Sequence, residues 1–310
     1  MPIYYHIFLT IQGGVIIRKD MRYIYLLNRF NLKEETPEIE KRLRKVSALF
    51  KRDYEICISD TVEELRETMK RFKDTEYIIT TVGGDGSINL LLNDLIGTDN
   101  ILSFVPHGTG NDFCRYCMEE MSDGIHAVDL IKINGRYFIN VACFGIDADI
   151  ANDDRFIHNP LIPKSMRYNA GVVYYFLTYR PKKMEVRING ERIEGSFTTL
   201  IAANARYYGG GYRPSPNSFI DDGKMEVLLV DELNKISMAK TILSMKDASH
   251  LKNPAVRVFE TDELVLSSDT KIGANIDGEP LFDDHFELKL VPKGFRIHFE
   301  KAFLEEMMKK

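Results

Sequence analysis

Four short apolar runs alternate with segments of helical periodicity between Met21 and about residue 106. The runs are "RYIYLLN", "YEICIS", "EYIITTV" and "ILSFVP". Between them, segments such as "TPEIEKRLRKVSALFKR" carry apolar residues at spacings of three and four, the period of a helix with one buried face. Because continuously apolar strands are typical of a sheet covered on both faces, the alternation predicts a doubly wound parallel α/β sheet.

After about residue 126 the pattern changes to that of an antiparallel β protein. Long β-type runs such as "AVDLIKINGRYFINVACFG" contain turn pairs, among them Asn134-Gly135, that favour two-residue hairpins. Helical stretches at roughly 165–178 and 235–247 interrupt the strands. We expect this half of the chain to form a β-sandwich.

These patterns divide the chain. Residues 1–20 lack the basic start of a signal peptide, and Met21 opens the first apolar strand, so we interpret 1–20 as an extension of the kind that a misassigned start codon produces. The α/β domain spans 21–125 and the β-sandwich domain 126–291. The helical end of the chain, 292–310, is expected to pack back on the α/β domain.

Composition excludes several classes of protein. The net charge of −5 argues against electrostatic binding of nucleic acid, which needs a basic domain. The longest apolar stretch, "AGVVYYFLTY", is far shorter than the roughly 18 residues of a membrane span. The four cysteines (Cys57, Cys114, Cys117 and Cys143) are too few and too scattered for a disulfide framework, which indicates a reducing compartment.

The stretch "TTVGGDGSINLLLNDLIG" places glycines between a buried strand and a helix expected from Ile88. Gly83, Gly84 and Gly86 let backbone N–H groups approach a ligand, and the helix start adds partial positive charge. Ligands bind at this carboxyl end of an open α/β sheet. Asp85 suits such a site if a Mg²⁺ or a hydroxyl group accompanies the phosphate. The alternative is a tight strand–helix turn without a ligand.

A second glycine loop, "PHGTGNDF", follows the next apolar strand. Gly108 and Gly110 flank Thr109, whose hydroxyl is a candidate donor to a phosphate. Asn111 and Asp112 are candidate caps for the following helix. Because successive parallel strands end at one edge of the sheet, we expect the two glycine loops to face one cleft.

Two later loops carry carboxylates. In "NARYYGGGYRPSPNSFIDDGKMEV", Asp221 and Asp222 precede Gly223 in a turn suited to a hard cation, although a long hairpin connection explains the loop too. In "NIDGEP", Asp277 and Glu279 flank a glycine. Beside phosphate-binding loops, one such carboxylate would receive the proton of a substrate hydroxyl; the alternative is a plain β-turn.

Together, "GGDGS", "GTGNDF", "YYGGG…DDG" and "DGE" resemble, in this order, the diacylglycerol kinase catalytic family, which includes sphingosine kinases and bacterial lipid kinases. The resemblance covers nearly all of 21–300. "GGDG" alone also occurs in NAD kinases and phosphofructokinases, whereas "GTGNDF" with the late "DGE" is more specific. The resemblance implies an α/β ATP-binding domain followed by a β-sandwich, the fold that the periodicity predicts independently.

The resemblance also implies roles for individual residues. Asp277 would accept the proton, Glu279 would support a metal–water network, and Asp85 would belong to the catalytic carboxylates. A Mg²⁺ ion would be held by the side chain of Asp222 and the carbonyl groups of Phe219 and Lys224. The implied ATP site consists of Asn28, Thr61, Gly83, Gly84, Asp85, Gly86, Ser87, Ile88, Asn89, Leu90 and Thr109.

Three positions depart from the family pattern. Ser87 stands where threonine is usual, and Leu90 where glutamate is usual. After the first strand, the usual Asn-Pro-x-Ser-Gly is replaced by "NRFN", which begins at Asn28. Either Arg29 substitutes for the lost contacts by its charge, or nucleotide binding is weaker.

The leading hypothesis is an ATP-dependent, Mg²⁺-using lipid kinase that converts diacylglycerol to phosphatidic acid. A kinase of a soluble alcohol and a non-catalytic nucleotide-binding regulator are the alternatives. The resemblance implies a cytoplasmic protein that meets membranes peripherally at most and is compatible with a homodimer. The basic helix "EKRLRKVSALFKR" and "RPKK" are candidate contacts for anionic lipid, although a solvated helix face is the favoured explanation.

Overall fold

The computed structural model describes residues 10–11, 14–15, 21–108, 110–153, 155 and 164–309. The chain divides into two compact units. The first unit runs to Val128 and resumes at Lys293, and the second unit covers Asp129–Pro292. Thr109, one of the residues assigned to the ATP site by resemblance, lies outside the described residues.

The described elements are numbered in chain order. The strands are β1 (Thr10–Ile11), β2 (Gly14–Val15), β3 (Tyr23–Asn28), β4 (Tyr54–Ser59), β5 (Ile78–Gly83), β6 (Ile101–Pro106), β7 (Gly124–Ile133), β8 (Arg136–Phe138), β9 (Val141–Gly145), β10 (Lys182–Ile188), β11 (Glu191–Ala203), β12 (Met225–Asp231), β13 (Val256–Thr261), β14 (Glu263–Ile276) and β15 (Glu279–Phe299). The helices are α1 (Arg29–Leu32), α2 (Thr36–Leu49), α3 (Val62–Lys70), α4 (Asp85–Leu95), α5 (Asp112–Glu120), α6 (Ile146–Ala151), α7 (Lys164–Thr178), α8 (Lys235–Ser244) and α9 (Lys301–Met308), with 3-10 turns at Lys33–Glu35 and Ser249–Lys252.

The first unit contains the predicted parallel sheet. Its strands run in the order β4-β3-β5-β6, and every pair among them is parallel. All residues of β3 and β5 are buried, as expected for strands covered on both faces. The end of β15 joins the same sheet, where Ile297 pairs in parallel with Leu102 of β6. The doubly wound α/β prediction is confirmed.

Arg52 ties the end of the chain to this unit. Its guanidinium lies 4.0 Å from the ring centroid of Tyr23 and 3.4 Å from that of Phe303 in α9. It also pairs with the carboxylate of Glu300 and donates to the hydroxyl of Tyr25. Since a buried arginine is tolerated only with such partners, these contacts fix α9 against the first unit.

The second unit is an antiparallel sheet structure. Its strands follow the order β13-β12-β11-β10-β14-β15, and β9 pairs with both β11 and β14. The predicted hairpin turn at Asn134-Gly135 joins β7 to β8, and both of its residues have positive φ (44° and 87°), as a type I′ turn requires. The core is lined by side chains from many strands, including Phe138, Phe144, Phe197, Leu229, Leu266 and Phe286.

Part of segment 1–20 is described. β1 and β2 pair with each other, and Val15 of β2 pairs with Ile125 of β7. The interpretation of this segment as an extension stays a prediction, which a chain beginning at Met21 would test. Among the described residues, no helix has the length and apolar character needed to cross a membrane.

Candidate active site

The two glycine loops lie against each other in the first unit. The backbone nitrogen of Asp85 donates to the carbonyl of Gly110 over 2.9 Å, and that of His107 donates to Gly83 over 3.0 Å. A Cβ atom at Gly84 would lie 2.3 Å from the Gly110 oxygen, so only glycine fits there. Both loops lie at the carboxyl edge of the parallel sheet, and part of the glycine content serves their contact. That they face one ligand-binding cleft stays a prediction.

Asp85 has a structural role that sequence reasoning missed. Its carboxylate accepts hydrogen bonds from the backbone nitrogens of Asp112 (2.9 Å) and Phe113 (3.1 Å), the first residues of α5. The negative charge also faces the positive end of that helix. The expected cap, Asn111, makes no capping bond, and its side chain donates to the Gly108 carbonyl instead. A carboxylate between glycines therefore needs no metal ion to explain it.

The start of α4 is where the backbone is open. Gly86 is exposed, and nothing lies within 4 Å of the position that its Cβ would occupy. The N-cap residue of the helix is Gly84, which has no side chain, so no capping side chain neutralises the N-terminal partial charge. By contrast, Ile88 is buried, and only its backbone could face a ligand. The remaining predicted residues of this helix are buried or half-buried: Ser87, Asn89 and Leu90.

Two buried polar side chains lie at the carboxyl edge of the sheet. Asn28 ends β3 and pairs in register with Ser59, which ends β4. Among the described residues, neither the Asn28 amide nor the Ser59 hydroxyl has a hydrogen-bond partner. An unpaired buried polar group costs about 1–3 kcal/mol, so such groups indicate a bound ligand or water. The resemblance predicted Asn28 as a site residue but not Ser59. The signal for Ser59 was its position as the polar last residue of the strand "YEICIS".

The other residues near this edge have local roles. The Thr61 hydroxyl accepts from the backbone nitrogen of Glu64 (3.1 Å) and so caps α3. Arg29 opens the short helix α1 and lies 3.1 Å from the Asp60 carboxylate. Because both partners are exposed, this ion pair contributes little to stability and does not commit Arg29 to the fold.

Asp277 lies at the turn between β14 and β15 in the second unit. It has a φ of 47° and Gly278 a φ of 94°, so "NIDGEP" is a hairpin turn, as the alternative interpretation held. The buried carboxylate of Asp277 nevertheless makes several hydrogen bonds. It accepts from the backbone nitrogens of Ile139 (2.9 Å), Asn140 (3.2 Å) and Val141 (2.8 Å). These N–H groups stabilise its negative charge and fix its orientation.

The predicted magnesium turn brings several carboxylates together in the second unit. An Asp222 oxygen accepts from the backbone nitrogen of Lys224 (3.0 Å), and an Asp129 oxygen accepts from that of Gly223 (2.7 Å). Burial raises the pKa of Asp222. The hydrogen bond from the backbone of Lys224 lowers this pKa, and the negative charge of Asp129 raises it further. The ring of Phe219 lies against the guanidinium of Arg206. A cation beside Asp222 would relieve the electrostatic cost of this turn.

A metal site made of side chains alone is not present in the described part of the chain, where no three His, Cys, Asp or Glu residues converge closely enough. The set proposed by resemblance has one carboxylate and two carbonyl groups. Since Mg²⁺ takes six oxygen ligands and retains several waters, that set fits only with water completing it. Glu279, the other predicted acid, is exposed at the start of β15.

Residues 23–138 match the diacylglycerol kinase catalytic domain, and residues 140–299 match the YegS C-terminal NAD kinase beta sandwich-like domain. The second match alone covers more than half of the chain. The chain is therefore a kinase, a phosphotransferase of α/β plus β-sandwich architecture. It belongs to the diacylglycerol kinase catalytic family.

Individual relatives agree with this assignment. A diacylglycerol kinase of Bacillus subtilis (strain 168) is 24% identical over 243 residues, covering 72% of this chain and 77% of that protein. A diacylglycerol kinase of Staphylococcus haemolyticus is 26% identical over 240 residues, covering 71% and 69%. The crystal structure of a diacylglycerol kinase from Bacillus anthracis superimposes with a TM-score of 0.61 at 17% identity, covering 92% of this chain and 98% of that one. At that identity the structural match shows the fold alone.

Proposed function

We propose that this kinase is an ATP-dependent lipid kinase that phosphorylates the free hydroxyl of diacylglycerol to give phosphatidic acid. The observation that carries the ATP half is the open backbone of Gly86 at the start of α4, at the same carboxyl edge of the sheet as the Asn28 amide, which has no hydrogen-bond partner among the described residues. The lipid half is supported by the relatives, which are named diacylglycerol kinases.

The phosphate groups of ATP are expected at the start of α4. With no Cβ at Gly86, the backbone can approach a phosphate oxygen closely, and the helix end favours its negative charge. The Asn28 amide supplies both a donor and an acceptor at the same edge of the sheet. Residues of this kind position the donor and stabilise charge as it develops, the main contribution that a protein makes to phosphoryl transfer.

Asp277 is proposed as the proton acceptor. The lipid hydroxyl oxygen forms a bond to the γ-phosphorus of ATP, the bond to the ADP oxygen breaks, and the hydroxyl proton passes to the carboxylate. Three backbone N–H groups stabilise the negative charge of the Asp277 carboxylate and fix its orientation. That Asp277 meets the glycine loops in one cleft stays a prediction, and Glu279 is proposed to assist from the same turn.

Magnesium is proposed in two places. One ion would accompany ATP and neutralise phosphate charge. A second would be held by the Asp222 carboxylate and the carbonyl groups of Phe219 and Lys224, and would stabilise the turn. Asp222→Ala then lowers thermal stability, and added Mg²⁺ raises the melting temperature of the wild-type protein more than that of the variant.

The test is transfer of radiolabelled phosphate from γ-labelled ATP. The wild-type chain is incubated with Mg²⁺ and diacylglycerol in mixed micelles, and in parallel with glycerol, sugars and nucleosides. Labelled phosphatidic acid is the expected product. If a soluble alcohol were labelled and diacylglycerol were not, the substrate would be that soluble alcohol instead of the lipid. ATP binding without transfer to any hydroxyl would support the regulator instead.

The remaining expectations are also proposals. A kinase of a membrane lipid that uses ATP is expected in the cytoplasm, with peripheral contact to the membrane at most. A homodimer is compatible with this arrangement, and sedimentation velocity would reveal it.

A further inference from the structure

Helices α7 and α8 pack against each other in the second unit. On α7, Tyr175, Phe176 and Tyr179 just beyond the helix face a small core, and on α8, Met238 and Ile242 do the same. The core also contains Ile146, Ile150 and Leu233. Each helix thus has one buried face, the ordinary arrangement for a surface helix.

The opposite faces of both helices are also apolar. On α7, Val173 and Leu177 are 58% and 66% exposed. They precede the half-buried Tyr175 and the buried Tyr179 by two residues each, which is about 200° around a helix. On α8, Ile236 is 69% exposed, two residues before Met238.

A second large apolar side chain extends the exposed face of α8. Leu243 is 59% exposed and lies seven residues after Ile236, on the same side of the helix. We call these two surfaces together the α7–α8 face. It carries Val173, Tyr174, Leu177, Ile236 and Leu243.

A cluster of exposed aliphatic side chains on adjacent helices is unusual in a protein that remains in water, because each loses the stabilisation that burial would give. From Gly171 to Thr178, α7 contains no charged residue. A helix that is apolar on both faces indicates burial of the second face against another apolar phase or molecule.

Charge favours one occupant. Lys240 is exposed on α8 and lies between Ile236 and Leu243 on the same side of the helix. The two helices contain four basic residues and no acidic one: Lys164, Arg167, Lys235 and Lys240. Aliphatic side chains with interspersed lysine are the pattern of a helix that lies in the interface of an anionic bilayer.

We propose that the α7–α8 face docks on an anionic membrane surface, with its aliphatic side chains among the acyl chains and Lys240 at the level of the headgroups. This deepens the proposed function, on which it rests: the acceptor lipid would be reached from the bilayer. A second copy of the chain fits less well, since in a two-fold interface Lys240 and its symmetry mate would share one apolar contact. No helix needs to span the bilayer for this contact.

The chain contains no tryptophan, so a single introduced tryptophan reports on its own position. Leu177→Trp and Leu243→Trp are compared with Val258→Trp, an exposed position on β13 (44%) outside the α7–α8 face. Vesicles of equal parts phosphatidylcholine and phosphatidylglycerol should shift the emission of the first two variants to the blue, and brominated acyl chains should quench it. The Val258→Trp emission should not change. Equal responses at all three positions, or none, would overturn the proposal.

Vesicle flotation gives an independent measurement. Leu177→Glu combined with Leu243→Glu should weaken partitioning by at least about tenfold, since two aliphatic side chains leave the apolar phase. Val258→Glu is the matched control and should bind as the wild type does. Lys240→Glu should weaken binding to the mixed vesicles but not to pure phosphatidylcholine, with the difference lost at high salt. A blue shift that grows with protein concentration without vesicles would assign the face to a second copy.

The docking proposal and the kinase proposal can be rejected independently of each other. A dispersed short-chain diacylglycerol needs no bilayer, so the double glutamate variant should phosphorylate it at the wild-type rate while losing activity on vesicles. If the wild type binds vesicles but phosphorylates no lipid, the proposed function is wrong and docking stands. If the double variant binds and phosphorylates vesicle substrate normally, docking is wrong and the kinase assignment stands.

Discussion

The carboxylate of Asp85 lies 2.9 Å from the backbone nitrogen of Asp112 and accepts its hydrogen bond across the two glycine loops. One side chain thus joins the first loop to the start of the helix that follows the second. Since Asp85 caps α5, we expect its removal to lower the free energy of unfolding directly. Any effect on nucleotide binding should be a consequence of that lost stability.

Asp85→Ala should lower the free energy of unfolding by about 1–2 kcal/mol, the usual cost of a lost cap. Asp85→Asn keeps one acceptor oxygen and should lose less. Glu63→Ala, at an exposed acid in the first turn of α3, is the control and should be nearly neutral. Thermal and urea unfolding measure all three. If Asp85→Ala leaves stability intact but abolishes phosphate transfer, Asp85 acts on the chemistry rather than on the helix.

Gly84 and Gly86 form a matched pair. In Gly84→Ala the new Cβ would meet the Gly110 carbonyl at 2.3 Å, so the variant should lose at least about 2 kcal/mol of stability or fail to fold. Gly86→Ala meets nothing, and its stability should stay constant or rise by up to about 1 kcal/mol. If phosphates approach the backbone here, Gly86→Ala should nevertheless weaken ATP binding in calorimetry. Unchanged ATP affinity in this stable variant would move the nucleotide elsewhere.

Asp277→Asn should reduce turnover by about 10²–10⁴-fold, because the amide cannot accept the substrate proton. The wild-type carboxylate also accepts three backbone hydrogen bonds, so the melting temperature should fall as well. Single-turnover rates measured well below that temperature separate the two effects, and ATP affinity should be retained. Glu279→Gln, at the exposed neighbouring acid, should keep its melting temperature. Near wild-type turnover in Asp277→Asn would contradict the assignment.

His298 predicts a pH dependence of stability. The ring is buried, and neither nitrogen has a partner among the described residues. Burial, with the positive Arg52 and the nearby His126, lowers its pKa to about 3. Because the unfolded chain takes up the proton near pH 6.5, stability falls as the pH drops below that value, by up to about 3 kcal/mol at pH 4.

The variant that checks this is His298→Leu, which removes the titrating group without leaving a broken hydrogen bond. Its stability at pH 7 should be close to wild type, and its loss of stability toward pH 4 should be smaller. Parallel profiles for wild type and His298→Leu would show that His298 does not carry this dependence.

Local patterns predicted the elements of this fold, whereas the site depends on contacts between distant segments. The apolar run "EYIITTV" and the Asn134-Gly135 turn each encode their structure within a few residues. The start of α4 was expected at Ile88 but lies at Asp85, because the Asp85 backbone is bonded to Gly110 in the next loop. The hydrophobic periodicity of residues 80–97 carries no information about Gly110, which lies in the following loop.

The polar edge of the sheet was only half predictable for the same reason. Asn28 and Ser59 are neighbours because β3 and β4 pair in parallel, a strand order that periodicity alone does not define. The segment after Asn28, expected to be an altered nucleotide loop, forms the short helix α1. Asp85 shows that a motif residue can serve the fold directly, since its carboxylate caps α5.

The division of the chain at Val128 and again at Lys293 affects how the protein is made. Strand β6 receives Ile297 as a neighbour only after the whole second unit has left the ribosome. At about 5–20 residues per second, the nascent first unit waits roughly 10–30 s with one side of β6 uncovered. The second unit is complete in sequence before the first, so the first unit, although its translation begins earliest, is the last to close.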